Sequence, residues 1–373
     1  MLNHFPEDWQ RLYKKEGFVT PSAVQEQSFA PLSKGSSAIL VSPTGTGKTL
    51  AYLWPLLLNI HPGAGNQLCI VLPSQELAMQ VVHVARKWAE PLKIKVQAAI
   101  GGANIKRQIE RLKKSPEVIV GTPGRLVELM NRRKIRADRL SMLVLDEADQ
   151  LVADEWNMAQ AVIKKVQRDT QFVAVSATAH HMKDKLYQVM PSPVELLDVR
   201  HNDYSKGKVQ HFVLEVAARK RVEALRRLAH VDGMRAIVFF NTVQELGVVA
   251  DKLIYEGINI STLASDQSKF ERQLSLNAFK EERSTFLLTT DMASRGLDIP
   301  NLEVVIQYDV PVMLDQYIHR SGRVGRMGRE GVVISLVNDR EKRRLKSMLA
   351  PENNPLKEIY LYQGALHSEP KKK

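Results

Sequence analysis

Apolar and polar positions alternate in blocks along this chain. Short apolar runs of four to seven residues fall at 38–42, 68–72, 95–100, 117–121, 141–146 and 171–176. Runs this short, bounded by Gly, Pro, Ser or Asp, read as strands buried on both faces. Between them apolar residues recur at helical spacing, as from Leu50 to Leu58 and from Asn104 to Lys113. Strands alternating with helices predict an α/β fold with a parallel sheet flanked by helices. The pattern breaks at Pro191, Pro193 and the polar stretch Arg200 to Lys208, then resumes with strand-like runs at 209–216, 235–240, 258–263, 284–290, 302–308 and 331–336. Two tandem α/β domains are predicted, over 1–200 and 209–364, joined by a linker at 201–208. A charged helix over Asp339 to Met348 follows the last run, and 365–373 reads as a short basic tail.

The pattern also places the chemistry. In such a sheet, ligands bind beyond the carboxyl ends of the strands. The run at 38–42 leads into Ser42-Pro43-Thr44-Gly45-Thr46-Gly47-Lys48-Thr49, and a helix follows. Strand, glycine-bearing loop, Lys-Thr and helix form the context of a phosphate-binding loop. Gly45 and Gly47 let the backbone curl so that its N–H groups face phosphate oxygens. Lys48 can reach the outer phosphates, and the Thr49 hydroxyl is suited to Mg²⁺. Ser42 stands where the usual pattern has its first glycine. The run at 141–146 ends in Asp146-Glu147-Ala148-Asp149. A buried strand ending in carboxylates needs a cation or water there. Asp146 is placed to hold Mg²⁺ through its water shell, and Glu147 to orient or deprotonate an attacking water. The competing readings are an ordinary glycine-rich turn and an acidic helix start.

Length and composition narrow the class further. The 373 residues suit two domains, and no apolar run approaches the roughly 18 residues of a membrane span. The one cysteine, Cys69, lies inside an apolar run. That fits a core position in a reducing, cytoplasmic setting. No basic-then-apolar leader is evident in the first residues. A net charge of +12 favours a polyanionic partner, nucleic acid before an anionic membrane.

With the phosphate loop and Asp146-Glu147-Ala148-Asp149 in order, the chain resembles a DEAD-box RNA helicase, and the match runs from about Phe18 to Arg326. The resemblance implies two RecA-like domains with a cleft between them, ATP and Mg²⁺ as cofactors, and RNA-stimulated ATP hydrolysis that separates strands locally. The segment Gly17 to Gln25 is similar to the family's adenine-recognition motif, with Phe18 for stacking and Gln25 for the base edge. Pro73-Ser74-Gln75-Glu76-Leu77-Ala78, Gly101-Gly102 and Thr122-Pro123-Gly124-Arg125 resemble motifs that hold RNA. They put Pro73, Gly102, Thr122 and Arg125 on the nucleic acid. Gln75 replaces an arginine of the family pattern. Ser176-Ala177-Thr178 resembles the motif coupling ATP turnover to strand separation, in which Asp149, Ser176 and Thr178 take part.

In the second half, Ile237 to Thr242 and Asp291 to Asp298 resemble further family motifs. They imply Thr290 and Gly296 near RNA and Asp298 near the ribose. Ala264-Ser265-Asp266, Lys269 and Arg272 depart from the usual pattern and keep only Asp266 and Arg272 of it. Tyr317 to Arg326 is similar to the arginine-finger motif, with Arg323 and Arg326 on the γ-phosphoryl group and His319 and Arg320 linking the halves. The expected partners are structured or duplex RNA and a ribosomal or protein targeting factor. No membrane is involved, and the chain is expected to be a monomer. Two other functions stay open at this point: an ATP-gated RNA clamp or assembly factor, and a related DNA helicase.

Overall fold

The computed structural model describes residues 1–178, 182–190, 193–199, 208–264, 266–294, 299, 301–325, 329–350 and 355–371. The chain divides into two units, Met1–Ser205 and Lys206–Lys373. In the first, strands β1 (Ser37–Val41), β2 (Leu68–Val71), β3 (Val96–Ala99), β4 (Val118–Gly121), β5 (Met142–Asp146), β6 (Gln171–Ser176) and β7 (Val194–Asp198) form one sheet. Its order is β3-β4-β2-β5-β6-β1-β7, and every pairing is parallel. Successive residues of a strand face opposite sides. Ala38 and Leu40 enter one core, while Ile39 and Val41 enter the other. Both faces being covered, the strands read as unbroken apolar runs. An aromatic cluster closes the first core, where Trp54 meets Trp88 and Phe5 edge-on at 5.1 Å each.

The second unit holds β8 (Val209–Glu215), β9 (Ala236–Phe240), β10 (Ile260–Leu263), β11 (Phe286–Thr290), β12 (Val304–Gln307), β13 (Gly331–Val337), β14 (Leu356–Tyr362) and β15 (Ala365–His367). The order is β10-β11-β9-β12-β13-β8-β14-β15. Pairings are parallel throughout except β14 with β15. The same two-faced burial recurs, with Val238 and Phe240 in one core and Ile237 and Phe239 in the other.

The twelve strands expected from the sequence lie within two residues of observed ones. Three strands were not expected, and each sits at a sheet margin where one face meets water. β7 and β14 are mostly exposed or half-buried along their length. The reading of 365–373 as a tail is corrected at its start: Ala365–His367 pairs with Tyr360–Tyr362, and the His367 ring stacks on Tyr362 at 3.7 Å. Residues 201–207 of the expected linker, together with Gly296, Asp298 and Arg326, lie outside the described residues.

Candidate nucleotide and RNA site

β1 ends at Val41, and helix Lys48–Leu58 begins seven positions on. The turn between them needs left-handed backbone at Gly45 (φ 82°) and Gly47 (φ 81°), which only glycine adopts without strain. A Cβ on Gly47 would also lie 2.3 Å from Gln25 Nε2. Ser42 is fully buried, and its hydroxyl lies 2.6 Å from that of Thr46, which donates to the Pro43 carbonyl at 2.8 Å. The serine that replaces the usual glycine therefore closes the loop from inside. Thr44 and Pro43 are half-buried at the loop crest. The Lys48 ammonium donates to the carbonyls of Ser42 (3.0 Å) and Pro43 (3.2 Å). It is thus held on the inner side of the loop, where outer phosphates would lie.

Two strands away, β5 delivers Asp146, only 4% exposed. Tyr52 Oη donates to its Oδ2 at 2.8 Å, and the Glu147 amide to its Oδ1 at 2.9 Å. Burial, then repulsion from Glu147, pushes Asp146 up from 3.8 to about 7. Tyr52 is one helical turn beyond Lys48, on the same face. It therefore fixes the loop helix to the carboxylate. Sequence reasoning passed over Tyr52; its only signal was a phenol four residues after the lysine in an otherwise apolar helix. Glu147 sits in left-handed backbone (φ 50°, ψ 50°) at the start of helix Ala148–Asp154. Its Oε2 is buried with no hydrogen-bond partner among the described residues. A divalent cation beside Asp146 would lower that carboxyl's pKa again, and the residues present fit one: a buried carboxylate, the Thr49 hydroxyl, and a loop shaped for phosphate.

Gln25 and the serine–threonine motif join this centre through hydrogen bonds. Ser22 is the N-cap residue of helix Ala23–Ser33, and the Gln25 side chain accepts from the Ser22 amide at 3.0 Å. The Gln25 amide group also donates to the Gly47 carbonyl at 3.3 Å. Helix capping and contact with the nucleotide loop are thus both carried by one residue. Phe18 is half-buried, with its ring 5.2 Å from Tyr13 and 6.4 Å from Trp54. At the end of β6 the Ser176 hydroxyl accepts from the Thr178 amide at 3.1 Å. The Thr178 hydroxyl donates to Asp149 at 2.9 Å.

The other candidates of the first unit follow β2, β3 and β4, on the same rim as the loop but on the far side of β5. Ser74, after Pro73, caps helix Gln75–Ala89. Gln75 lies against the next turn, where a Cβ on Gly101 or Gly102 would stand 3.3 or 3.2 Å from its amide atoms. The Thr122 amide donates to Ala99, and Arg125 pairs with Glu128 at 3.0 Å and donates to the Ala103 carbonyl at 3.2 Å.

In the second unit Thr290 ends β11, nearly buried. Arg320 is 1% exposed. Its five N–H donors reach both oxygens of Asp291 (2.7 Å each), Gln307 Oε1 (3.0 Å), the Asp309 carbonyl (2.8 Å) and Asn241 Oδ1 (2.8 Å). A guanidinium has no further donor. Any influence Arg320 exerts therefore runs through the segments it holds rather than through its own charge. His319 and Arg323 flank it, half-buried. Arg272, which the departing segment retains, donates to the carbonyls of Ala264 (3.3 Å) and Ala293 (3.2 Å).

Comparison with known proteins agrees with this geometry. The DEAD/DEAH box helicase family model matches residues 22–186, and the helicase conserved C-terminal domain model matches 220–328. The chain is 39% identical over 362 residues to the Bacillus subtilis (strain 168) protein named probable ATP-dependent RNA helicase YfmL, covering 96% of both. It is 39% identical over 338 residues to the DEAD-box ATP-dependent RNA helicase CshC of Bacillus cereus, covering 90% of this chain and 87% of that one. Its fold superposes on S. cerevisiae Dbp5 bound to RNA and ADP BeF3 with a TM-score of 0.83 at 27% identity, over 96% of this chain and 94% of the other. The chain belongs to the DEAD-box family of ATP-dependent RNA helicases. Its two sheets are tandem RecA-like domains, and it is an RNA-binding, ATP-hydrolysing enzyme.

Proposed function

We propose that this helicase binds ATP with Mg²⁺ on the loop Ser42 to Thr49. Thr49 and Asp146 hold the ion, Lys48 neutralises the outer phosphates, and Glu147 directs the attacking water. The observation that carries this reading is the Tyr52 bridge, which fixes Asp146 to the loop helix while one oxygen of the adjacent Glu147 carboxylate is buried without a partner among the described residues. Mg²⁺ would supply charge for the phosphoryl oxygens. Phe18 and Gln25 read adenine, Asp298 takes the ribose, and Arg323 and Arg326 stabilise charge on the γ-phosphoryl group. Asp149, Ser176, Thr178 and His319 transmit turnover, and Arg320 does so by holding Asn241 and Asp291. Pro73, Gly102, Thr122, Arg125, Thr290 and Gly296 hold RNA by its backbone.

The substrate on this reading is structured or duplex RNA, opened locally by a monomer of two domains, 1–200 and a second that begins at 209 and takes in the strand Ala365–His367. A ribosomal or protein factor directs it, and it works in the cytoplasm. No helix among the described residues is long and apolar enough to cross a membrane. The direct test is Glu147→Gln. ATP and RNA binding should persist while turnover falls by about 10²–10⁴, the usual contribution of a positioned base. Turnover within about threefold of wild type would remove Glu147 from this role.

A further inference from the structure

We propose a second RNA contact on the rim of the first unit opposite the nucleotide loop, made for the phosphate backbone of a duplex arm. It extends the family's RNA-binding activity to a surface that no motif of the family occupies. Two segments build it: residues 132–139, just ahead of β5, and residues 164–169, just ahead of β6. Together these fourteen residues hold eight Lys or Arg and two Asp. β5 and β6 are neighbours, so the segments emerge about 5 Å apart at the sheet. Gln167 Nε2 donates to the Asp138 carbonyl at 2.8 Å, and the Thr170 hydroxyl to that of Leu140 at 2.9 Å. The two stretches of charge thus form one surface.

A cleft of about 540 Å³ opens between them, lined by Met130, Arg133, Ile135, Arg136 and Lys165 among others. Arg136 is held flat by both oxygens of Asp138, at 3.0 and 2.8 Å, and Arg132 by Glu128 at 3.0 Å. Arg133, Arg139, Lys164 and Arg168 are exposed. So many like charges on one surface repel one another, and a polyanion relieves that repulsion.

The ligand class follows from what the surface has and lacks. The fourteen residues include no aromatic side chain and no histidine. Single-stranded sites stack bases on such rings, so this one can read only charge and its spacing. That suits the backbone of a helix. The location separates it from the helicase site: Asp146 ends β5, and the basic segment precedes it, so the five-residue strand puts them roughly 17 Å apart. An RNA held at the carboxyl rim must therefore carry a projecting arm to reach the amino rim.

The test uses the full chain and two RNAs: a short single strand, and the same strand continued into a hairpin arm of roughly twenty base pairs, long enough to span this separation. Wild type should bind the extended RNA more tightly. Changing Arg133, Arg139, Lys164 and Lys165 together to Glu should weaken binding of the extended RNA by about tenfold or more at 0.1 M salt and flatten its salt dependence. Affinity for the short RNA, and ATP turnover saturated with it, should hold. The four-fold Gln version, which adds no repulsion, should show a smaller loss of the same kind. Equal affinity of wild type for the two RNAs, or extended-RNA binding within about twofold in both variants, would overturn the proposal. So would equal loss on the two RNAs, or poly-glutamate displacing the hairpin arm as well as RNA does. Failure of wild type to bind the short RNA would instead count against the helicase site.

Discussion

Replacing Asp146 by Asn keeps the shape of the side chain and removes one buried charge. In the folded protein, burial and the Glu147 carboxylate push Asp146 up from 3.8 to about 7. The sign follows from proton binding. Between these two values the folded chain holds a proton that the unfolded chain releases, so stability falls as pH rises from about 4 to 7. A rise from 3.8 to about 7 bounds the destabilisation at about 4 kcal/mol above pH 7. Part of this is offset in the comparison, because Asn cannot accept the Tyr52 hydroxyl on its amide nitrogen as Asp146 does on Oδ2. The variant should therefore be about 1–3 kcal/mol more stable than wild type at pH 8. All four tryptophans, at 9, 54, 88 and 156, lie in the first unit, so their fluorescence reports its unfolding. In a unit of this size the gain corresponds to roughly 3–10 °C in Tm. It should be read without nucleotide and with a chelator present. Asp146→Asn should gain less at pH 5 than at pH 8, and it should lose ATP turnover at both. An unchanged Tm at pH 8, or the same gain at both pH values, would refute the reasoning that Asp146 is a destabilised buried charge.

Three further outcomes are expected. Gln25→Ala removes the bonds to the Gly47 carbonyl and the Ser22 amide, so it should raise KM for ATP, narrow the preference for ATP over GTP, and destabilise the first unit by about 1 kcal/mol; nucleotide titrations and a thermal melt check these. Arg320→Lys cannot satisfy Asp291, Gln307, Asp309 and Asn241 together, so the second unit should lose about 3–5 kcal/mol, seen as an early transition by circular dichroism. Burial pushes the Cys69 thiol up to about 12, so it should resist thiol reagents in the native protein at pH 8 and react on unfolding.

Most of the sheet was legible because both of its faces are covered. A strand such as Ile237-Val238-Phe239-Phe240 carries apolar residues at every position, and no alternative placement satisfies them. The marginal strands were not legible for the converse reason. Leu356-Lys357-Glu358-Ile359 has a polar pair facing water, and its pairing with β8 is decided by backbone hydrogen bonds that leave no trace in side-chain pattern. At the site, the glycines and charged residues were readable from type and order. What supports them was not. Tyr52 and Gln307 look like ordinary helix and strand residues, and only the fold brings Tyr52 to Asp146 and Gln307 to Arg320. Nor could residue type show that Arg320 is saturated within its own unit, by the Asp291 carboxylate, Gln307, Asn241 and the Asp309 carbonyl.

The departures from the family pattern bear on how this chain holds RNA. Gln75 stands in place of an arginine, and its amide rests against Gly101 and Gly102, the turn that leads to Ala103 and hence to Arg125. An amide there can hydrogen-bond but contributes no charge. The carboxyl rim is therefore one cation poorer than the pattern allows, and phosphate binding on that rim weakens with each charge removed. Meanwhile fourteen residues of the opposite rim gather eight cations. Charge placed on an amino rim cannot assist phosphoryl transfer roughly 17 Å away, because exposed charges beyond a Debye length of about 8 Å are screened. What it can do is retain a polyanion already held elsewhere, since a second contact on the same molecule acts at a high effective concentration. On the proposed reading, in which the carboxyl rim holds RNA with one cation fewer, this chain gains most from such a contact. Restoring the family residue as Gln75→Arg should therefore raise affinity for short RNA while leaving the contribution of the amino rim to hairpin binding unchanged.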